Sequence, residues 1–302
     1  MQREQMHIGN AAGFSVDRMD VGGPVVDSLI ASGRPAALFY ETLAERTLAI
    51  AQRERRTNPG RGYTPDLAGF VGPVLKRCVA SGVPIIGNFG AANPFGAAKR
   101  LHALAKGQGI SGLRVAVVDG DDLRENLRGL QTRPWSNEKP LDLANTEILA
   151  ANVYMGSQPI ADALEQNPHI VVTGRVTDSA LTLGPLMHHF GWAADDWDKM
   201  AAGVLAGHLL ECGSQITGGY HADPGRKNVS RMAEIGFPIA EVEEDGSLVI
   251  TKPVGSGGIV NTRTVKEQIL YELDDPRNYL TPDVTLDITD VEVEQVGVDR
   301  VR

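Results

Sequence analysis

Short apolar runs alternate with stretches of helical periodicity over roughly the first 180 residues. The runs are nearly continuous in apolar residues, as strands are when both faces of a parallel sheet are covered. Six strands are predicted: MHIGNAAGF (6–14), PAALFYE (35–41), VPIIGNFG (83–90), RVAVVDGDD (114–122), EILAANVYMG (147–156) and HIVVTGRV (169–176). Helical patterns lie between them, over Val25–Ser32, Leu43–Arg55, Leu67–Ser81, Asn93–Lys106 and Pro159–Gln166.

This alternation predicts an α/β fold in which helices flank a parallel sheet on both faces. A doubly wound sheet is the first choice, and a closed barrel is the alternative, because six strands fall short of the eight that a barrel needs. The parallel α/β domain is predicted to cover residues 1–232.

Residues 233–302 have a different pattern and are predicted to form a smaller α+β extension. Short strands surround one helix from Val265 to Leu273, and Thr264 and Glu267 have the spacing of a capping box at its start. The chain ends within a strand-like run, so we expect either a truncated extension or a final strand that another segment completes.

Composition excludes several classes of protein. The 302 residues carry a formal charge of −9, and 42% are apolar, which is ordinary for a globular protein. Basic residues are scattered, which argues against a nucleic-acid surface. No apolar run approaches the roughly 18 to 20 residues of a membrane span. Cys78 and Cys212 lie far apart without a CxxC motif, which favours a reducing compartment. We therefore expect a cytoplasmic protein that binds neither nucleic acid nor membrane.

Polar or glycine residues follow every predicted strand. Ligands of parallel α/β sheets bind beyond the carboxyl ends of the strands, where these residues would meet. Turn preferences alone account for Asn, Asp and Gly at any one strand end, but their recurrence at all six favours a real site. The residues are Asn10, Glu41, Asn88, Asp119 to Asp122, Asn152 and Thr173 to Arg175.

The stretch NFGAANPFGAA (88–98) brings small residues into a strand-to-helix turn, where backbone N–H groups can face a phosphate or carboxylate. We therefore count Asn88 and Asn93 as substrate-binding candidates, together with Asn10 and Asn152 at other strand ends. The stretch matches neither the dinucleotide fingerprint nor a Walker loop, so no nucleotide cofactor is predicted.

The acidic run VVDGDD (117–122) places three carboxylates after a buried strand. Such a group can bind a divalent cation or supply an acid/base whose pKa is raised by its neighbours. Asp121 or Asp122 is expected to cap a following helix, which leaves Asp119 as a catalytic candidate. No metal is predicted, although a divalent cation stays open here.

Arg175 follows a buried strand in the stretch VTGRVTDS (172–179). Its guanidinium fork suits a carboxylate, and both Asp178 and an anionic group of the substrate are open as partners. Arg175 and Asp178 are therefore substrate-binding candidates.

The stretch GHLLECGSQITGGY (207–220) makes the end of an apolar helix polar. His208 and Glu211 share one helix face, but a di-metal site needs a second such pair. A nucleophilic Cys212 is disfavoured because a helix C-terminus raises a thiol pKa. His208 and Glu211 are instead candidate catalytic acid/base groups in the wall of the crevice, or surface residues that pack between subunits.

Ordered motifs along nearly the whole chain resemble the acyclic terpene utilisation protein family. The motifs are IGNAAGFSVDR, GNFGAANP, VAVVDGDDL, ANVYMG, VVTGRVTDSAL, AGHLLECGSQITGGY, GFPIAEV, TKPVGSGG and YLTPDV. The resemblance implies a bacterial cytoplasmic protein of isoprenoid alcohol catabolism, with substrates such as citronellol and geraniol degraded through branched acyl-CoA intermediates. It also implies a further small ferredoxin-like domain that this chain lacks, and it transfers no catalytic residues.

Two functions follow as hypotheses. The first is a non-redox enzyme of lyase, hydratase or hydrolase type acting on a branched acyl-CoA or related carboxylate, with Arg175 holding the anion and Asp119, Glu211 or His208 moving a proton. CoA would enter as part of the substrate, and no bound cofactor is predicted. The second is a non-catalytic partner or scaffold of the same pathway. A homo-oligomer is expected in either case.

Overall fold

A computed structural model describes residues 4–130, 132, 142–144 and 147–302. Within them the chain forms eleven strands and eight α-helices. The strands are β1 (Gln5–Asn10), β2 (Ala36–Tyr40), β3 (Ile85–Gly87), β4 (Val115–Val118), β5 (Ile170–Thr173), β6 (Ile239–Glu243), β7 (Leu248–Thr251), β8 (Tyr279–Leu280), β9 (Thr285–Leu286), β10 (Gln295–Gly297) and β11 (Arg300–Val301). The helices are α1 (Gly22–Ser32), α2 (Glu45–Thr57), α3 (Leu67–Ser81), α4 (Pro94–Gly107), α5 (Gln158–Leu164), α6 (Ala180–Phe190), α7 (Trp197–Glu211) and α8 (Thr262–Ile269).

Nine strands form one open sheet in the order β10-β11-β7-β6-β1-β2-β3-β5-β4, and β8 and β9 pair separately. Strands β1 to β5 pair in parallel, whereas β6, β7, β11 and β10 join antiparallel beyond β1. The predicted parallel sheet flanked by helices is confirmed. The barrel alternative is wrong, because β10 and β4 lie at opposite ends of the strand order.

Helices cover both faces of the parallel strands. In β2, Phe39 packs into one core with α5, α6 and α7, while its neighbours Leu38 and Tyr40 pack into the other with α1, α3 and α4. This alternation reflects the two-residue period of a strand. It explains why the parallel strands are almost continuously apolar in sequence.

The chain after β3 continues into α4 on one face, and the chain after β5 continues into α6 on the other. Because β3 and β5 are neighbours, their carboxyl ends diverge to opposite faces and create a topological switch point. Ligands of open α/β sheets bind at this kind of position. The fold therefore places the candidate site beyond the ends of β3 and β5.

The segment 147–156 is not the strand that its apolar pattern predicted. It crosses the carboxyl ends of β4 and β5, where Val153 N–H donates to Asp121 O at 2.9 Å and Met155 N–H to Arg175 O at 3.2 Å. Its backbone groups are thus satisfied by the loops beyond the strand ends rather than by a strand. The segment covers the edge of the sheet where the site lies.

The start of α8 was placed three residues too late by the capping-box pattern. Asn261 is the N-cap, and its side chain accepts from the backbone of Arg263 at 2.9 Å and Thr264 at 3.0 Å. The Thr264 hydroxyl accepts in return from Asn261 N–H at 3.1 Å. Asn caps a helix as well as Thr does, so the true box lies one turn earlier.

The predicted boundary at residue 233 lies shortly before β6, where pairing changes from parallel to antiparallel. Both parts of the chain contribute strands to the same sheet, and their division into domains stays a prediction. In the described ranges, no helix combines the length and apolar character that crossing a bilayer requires.

Candidate functional site

The loop after β2 is fixed by the end of β3. The Asn88 side chain accepts from Thr42 N–H at 2.7 Å and donates to Glu41 Oε1 at 2.9 Å. Leu43 N–H also donates to Glu41, at 2.7 Å. Asn88 is fully buried, so both ends of its amide serve to hold this loop and the Glu41 carboxylate in place.

Glu41 is a buried acid that no cation of the described residues contacts directly. Burial raises its pKa well above the ordinary value, and the nearby charge of Asp178 adds to this effect. The bonds from Asn88 and Leu43 and the charge of Arg175 act in the opposite direction but are outweighed. Glu41 therefore tends to hold a proton at the switch point.

Arg175 lies at the centre of the site with 1% of its surface exposed. Its Nη1 donates to Leu43 O at 2.6 Å, and its Nε and Nη2 donate to Val176 O at 2.7 and 2.5 Å. Nη2 also donates to Asp178, and the guanidinium carbon lies 4.5 Å from the centre of the Tyr154 ring. The guanidinium is thus held by protein groups in this arrangement, and it positions Asp178.

Asp178 keeps 34% of its side chain exposed, unlike the rest of the site. Partial removal of the Asp178 carboxyl group from water raises its pKa to about 7, and the negative charges of Glu211 and Glu45 add to this shift. The charge of Arg175 opposes it. A carboxyl group that titrates near neutrality and reaches solvent has the properties of a general acid/base.

His208 and Glu211 lie at the end of α7 with 1% and 6% of their surfaces exposed. The alternative that they belong to a surface helix end is therefore wrong. His208 Nδ1 is 3.2 Å from Glu211 Oε1, and the His208 ring centre is 5.3 Å from that of Tyr279. Burial lowers the pKa of His208, but the approach of Glu211 outweighs it, so the net shift is upward. Glu211 therefore stabilises the protonated form of His208 relative to an isolated histidine.

Asn10 connects the end of β1 to this helix end. Its amide donates to Ala12 O at 3.0 Å and to Glu211 O at 3.3 Å, and its carbonyl oxygen is buried without a partner among the described residues. The loop after β1 packs closely against the end of α7, since a Cβ added to Gly13 would lie 2.5 Å from the backbone carbonyl carbon of Cys212. Asn10 therefore fixes the position of Glu211.

Asp121 rather than Asp119 turns inward from the acidic run. Asp121 is 2% exposed and accepts from Arg175 N–H at 2.9 Å and from the Asn152 amide at 2.7 Å. Burial raises the pKa of Asp121, and these two bonds oppose the shift. The described residues directly after Asp122 form turns and a short 3-10 helix (Leu127–Gly129) rather than an α-helix, so the predicted cap is wrong, and Asp122 pairs with Arg124 at 3.1 Å instead.

Asp119 and Asn93 do not join this group. Asp119 is exposed at the end of β4. Asn93 caps α4 by accepting from Gly96 N–H at 3.0 Å, and its amide donates to Arg61 O at 2.7 Å and Pro59 O at 3.1 Å. Asn93 therefore ties the loop before α3 to α4, and its predicted substrate contact stays untested.

Several predicted residues do meet at one edge of the sheet, and we call five of them the polar cluster. The polar cluster consists of Glu41, Arg175, Asp178, His208 and Glu211. Cys212 lies beside it, and burial raises the pKa of its thiol, which keeps sulfur protonated. Across the described ranges, no three or more His, Cys, Asp or Glu side chains are arranged to hold a metal ion.

Three residues around the polar cluster were missed by sequence reasoning. Tyr154 lies over Arg175 and its hydroxyl donates to Glu45, and Tyr279 packs against His208. Burial raises the pKa of both tyrosines. Tyr154 lies two residues after the candidate Asn152, whereas Glu45 and Tyr279 lie at no predicted strand end; the signal for the two tyrosines was an aromatic residue near polar ones.

The fold and the polar cluster define an α/β protein with a buried, acid-rich site at the carboxyl edge of its parallel strands. The model of the acyclic terpene utilisation family protein AtuA matches residues 6–302, which is nearly the whole chain. The chain therefore belongs to this family, which confirms the resemblance seen in its motifs and implies a role in acyclic terpene utilisation. Comparisons with curated proteins and with solved structures each found no match.

Proposed function

We propose that this protein is a non-redox enzyme of lyase, hydratase or hydrolase type that moves a proton on a branched, isoprenoid-like acyl-CoA. One observation carries the proposal: Asp178, with a pKa raised to about 7, is the partly exposed acid of an otherwise buried cluster. Strongly shifted acids in a ligand-binding position of the fold are typical of proton-transfer sites.

The charge of the site favours a neutral reacting centre. Acidic side chains outnumber the basic ones, because Arg175 and His208 face Glu41, Glu45, Asp178 and Glu211. A free carboxylate entering this site would lose its hydration while Arg175 is already bonded to Asp178, whereas the carbonyl of a thioester is neutral. The CoA ester is therefore preferred here over the free acid, although both were open from the sequence.

Each residue then has a defined task. Asp178 donates a proton when protonated and accepts one when ionised, and Arg175 positions its carboxyl group. The His208–Glu211 pair supplies or takes up a second proton, and Asn10 holds Glu211 through its backbone carbonyl. Asp119 has no part in this mechanism, since it is exposed away from the polar cluster.

We also propose a cellular location, an oligomeric state and a cofactor requirement for the protein. It acts in the cytoplasm as a homo-oligomer without a bound cofactor, and CoA arrives with the substrate. These statements are tested by the molecular mass in solution and by activity of the purified protein before and after dialysis against a chelator.

Proton transfer is tested directly by solvent exchange. The protein is incubated in D2O with 3-methylbutanoyl-CoA, and deuterium incorporation beside the thioester carbonyl is followed by mass spectrometry. We expect exchange that depends on a group with a pKa near 7 and that falls about 100-fold or more in Asp178→Asn.

Asp119→Asn is measured in parallel, because it makes the same chemical change at the competing candidate. Loss of exchange in Asp119→Asn with normal rates in Asp178→Asn would overturn the assignment of Asp178. If no CoA ester gives either deuterium exchange or heat of binding, the scaffold hypothesis is favoured.

A further inference from the structure

An apolar cavity lies against the loop after β2 and the helix α2. Its volume is about 210 Å³. We propose that it holds the branched hydrocarbon chain of the substrate, an inference that rests on the proposed function. Its apolar lining includes Val16, Leu43, Ile50, Ala51, Tyr63 and Ala91.

The cavity shares a wall with the polar cluster. Thr42 and Leu43 line the cavity, and the same two residues hold the site in place on their other side. Thr42 N–H donates to Asn88, Leu43 N–H donates to Glu41, and Leu43 O accepts from Arg175. A chain seated in the cavity would therefore end beside Leu43, which contacts Glu41 and Arg175 of the polar cluster.

The cavity is separate from the two main cores. Leu43, Ala51 and Ala91 belong to a small apolar cluster of their own, together with Leu48 and Ala92. At its mouth, Val16 is 73% exposed and Ile50 is 48% exposed. Apolar surface left open beside a polar site is typical of a ligand pocket, since isolated proteins normally cover such patches.

The polar side chains that line the cavity do not require hydrogen bonds from a ligand. The Thr42 and Thr64 hydroxyls are 3.0 Å apart and bond to each other, so both are satisfied. Glu54 and Asp66 also line the cavity, and their charges disfavour an anionic end of a ligand there. The occupant that fits is hydrocarbon.

A series of CoA thioesters with growing chains tests this assignment by isothermal titration calorimetry. The probes are acetyl-CoA, 3-methylbutanoyl-CoA and a ten-carbon branched acyl-CoA. We expect affinity to rise about fourfold for each methylene that enters the cavity, with a negative heat-capacity change.

Three variants on α2 locate the effect. Ala51→Phe fills the cavity, and Ile50→Ser makes its mouth polar at an exposed position where folding is not at risk. Ala49→Phe is the matched control, because Ala49 is exposed on the same helix and does not line the cavity. We expect the gain with chain length to disappear in Ala51→Phe, to fall in Ile50→Ser and to persist in Ala49→Phe.

The outcomes separate the two proposals. The cavity assignment would be overturned if all CoA esters bound with the same affinity whatever their chain length, or if the rise in affinity with chain length persisted in Ala51→Phe. Either result would leave the proposed enzyme intact. If no CoA ester binds, the proposed function fails, and a ten-carbon branched alcohol then tests the cavity alone. Alcohol binding that Ala51→Phe abolishes keeps the cavity assignment, and no alcohol binding overturns it.

A second copy of the chain is the competing occupant. Sedimentation velocity of the wild type and Ile50→Ser distinguishes the two. A loss of oligomer in Ile50→Ser without any change in the chain-length series would make this surface a subunit contact and overturn the inference.

Discussion

The parallel and antiparallel halves of the sheet use arginine in different ways. In the parallel half, Arg175 is 1% exposed and its guanidinium is surrounded by backbone carbonyls and Asp178. In the antiparallel half, the Arg300 side chain is 41% exposed and forms a fork with Glu241 at 2.7 and 2.5 Å. Burying the guanidinium of Arg175 carries a large desolvation cost, which its pairing with Asp178 has to offset. The more exposed Arg300–Glu241 pair carries only a small desolvation cost. Buried charge is therefore concentrated where the chemistry is proposed.

The largest effect is expected when the buried arginine is removed. Arg175→Met leaves Asp178 without its cation and the carbonyls of Leu43 and Val176 without their donor, and breaking a buried charge network in this way costs about 3–5 kcal/mol. The free energy of unfolding from urea titration measures the loss. A loss below about 1 kcal/mol would remove the contrast between the two halves.

A smaller effect is expected where α7 meets the loop that carries Asp178. A Cβ on Gly207 would lie 2.5 Å from Ser179 Cα and 2.7 Å from Ser179 O, and this backbone cannot move aside easily. Gly207→Ala is expected to destabilise the protein by about 1–3 kcal/mol. Gly107→Ala is the control because its Cβ would meet nothing within 4 Å, and equal stability losses in the two variants would contradict the packing argument.

The pH dependence of stability tests the state of Asp178. Its pKa is about 7 in the folded protein against 3.8 as the ordinary value, so the folded state binds the proton more tightly. The contribution to stability is present below the ordinary pKa and is lost as pH rises through the folded pKa. The melting temperature of Asp178→Asn minus that of the wild type should therefore rise from about pH 5 to about pH 8. A difference that falls over this interval would assign the raised pKa to another group.

The smallest effect is expected in the antiparallel half. Arg300→Gln removes a half-exposed pair with Glu241, and such pairs contribute about 0.2–1 kcal/mol that salt screens. Urea titrations at low and high salt measure the difference. A loss comparable to that of Arg175→Met would show that exposure does not distinguish the two halves.

Sequence predicted the parallel strands because burial on both faces makes each strand almost wholly apolar. It failed over residues 147–156, where apolar side chains cover strand ends instead of filling a sheet. Among the acids after β4 it could not select the buried one, because that choice depends on the backbone at Gly120, whose φ of 116° favours glycine. Asp119 is exposed before that turn and Asp121 is buried after it.

The site shows the same limit over longer distances. Strand ends indicated Asn10 and Arg175 as candidates and a polar helix end indicated Glu211, but neither pattern indicated their partners. The Asn10 amide bonds to Glu211 O across 201 positions of sequence, and Arg175 bonds to Leu43 O across 132. Only the order of strands in the sheet brings such residues together, and local patterns do not encode that order.

Strand β1 bonds to β2 on one side and to β6 on the other, with Gly9 opposite Ile239. During synthesis the N-terminal strand is made first, yet its second partner emerges more than two hundred residues later. Until then one edge of β1 stays unpaired and open to wrong pairing with other chains. Pairing across such a sequence separation also slows folding. The nascent chain therefore completes the edge that anchors Asn10 only after β6 has been made.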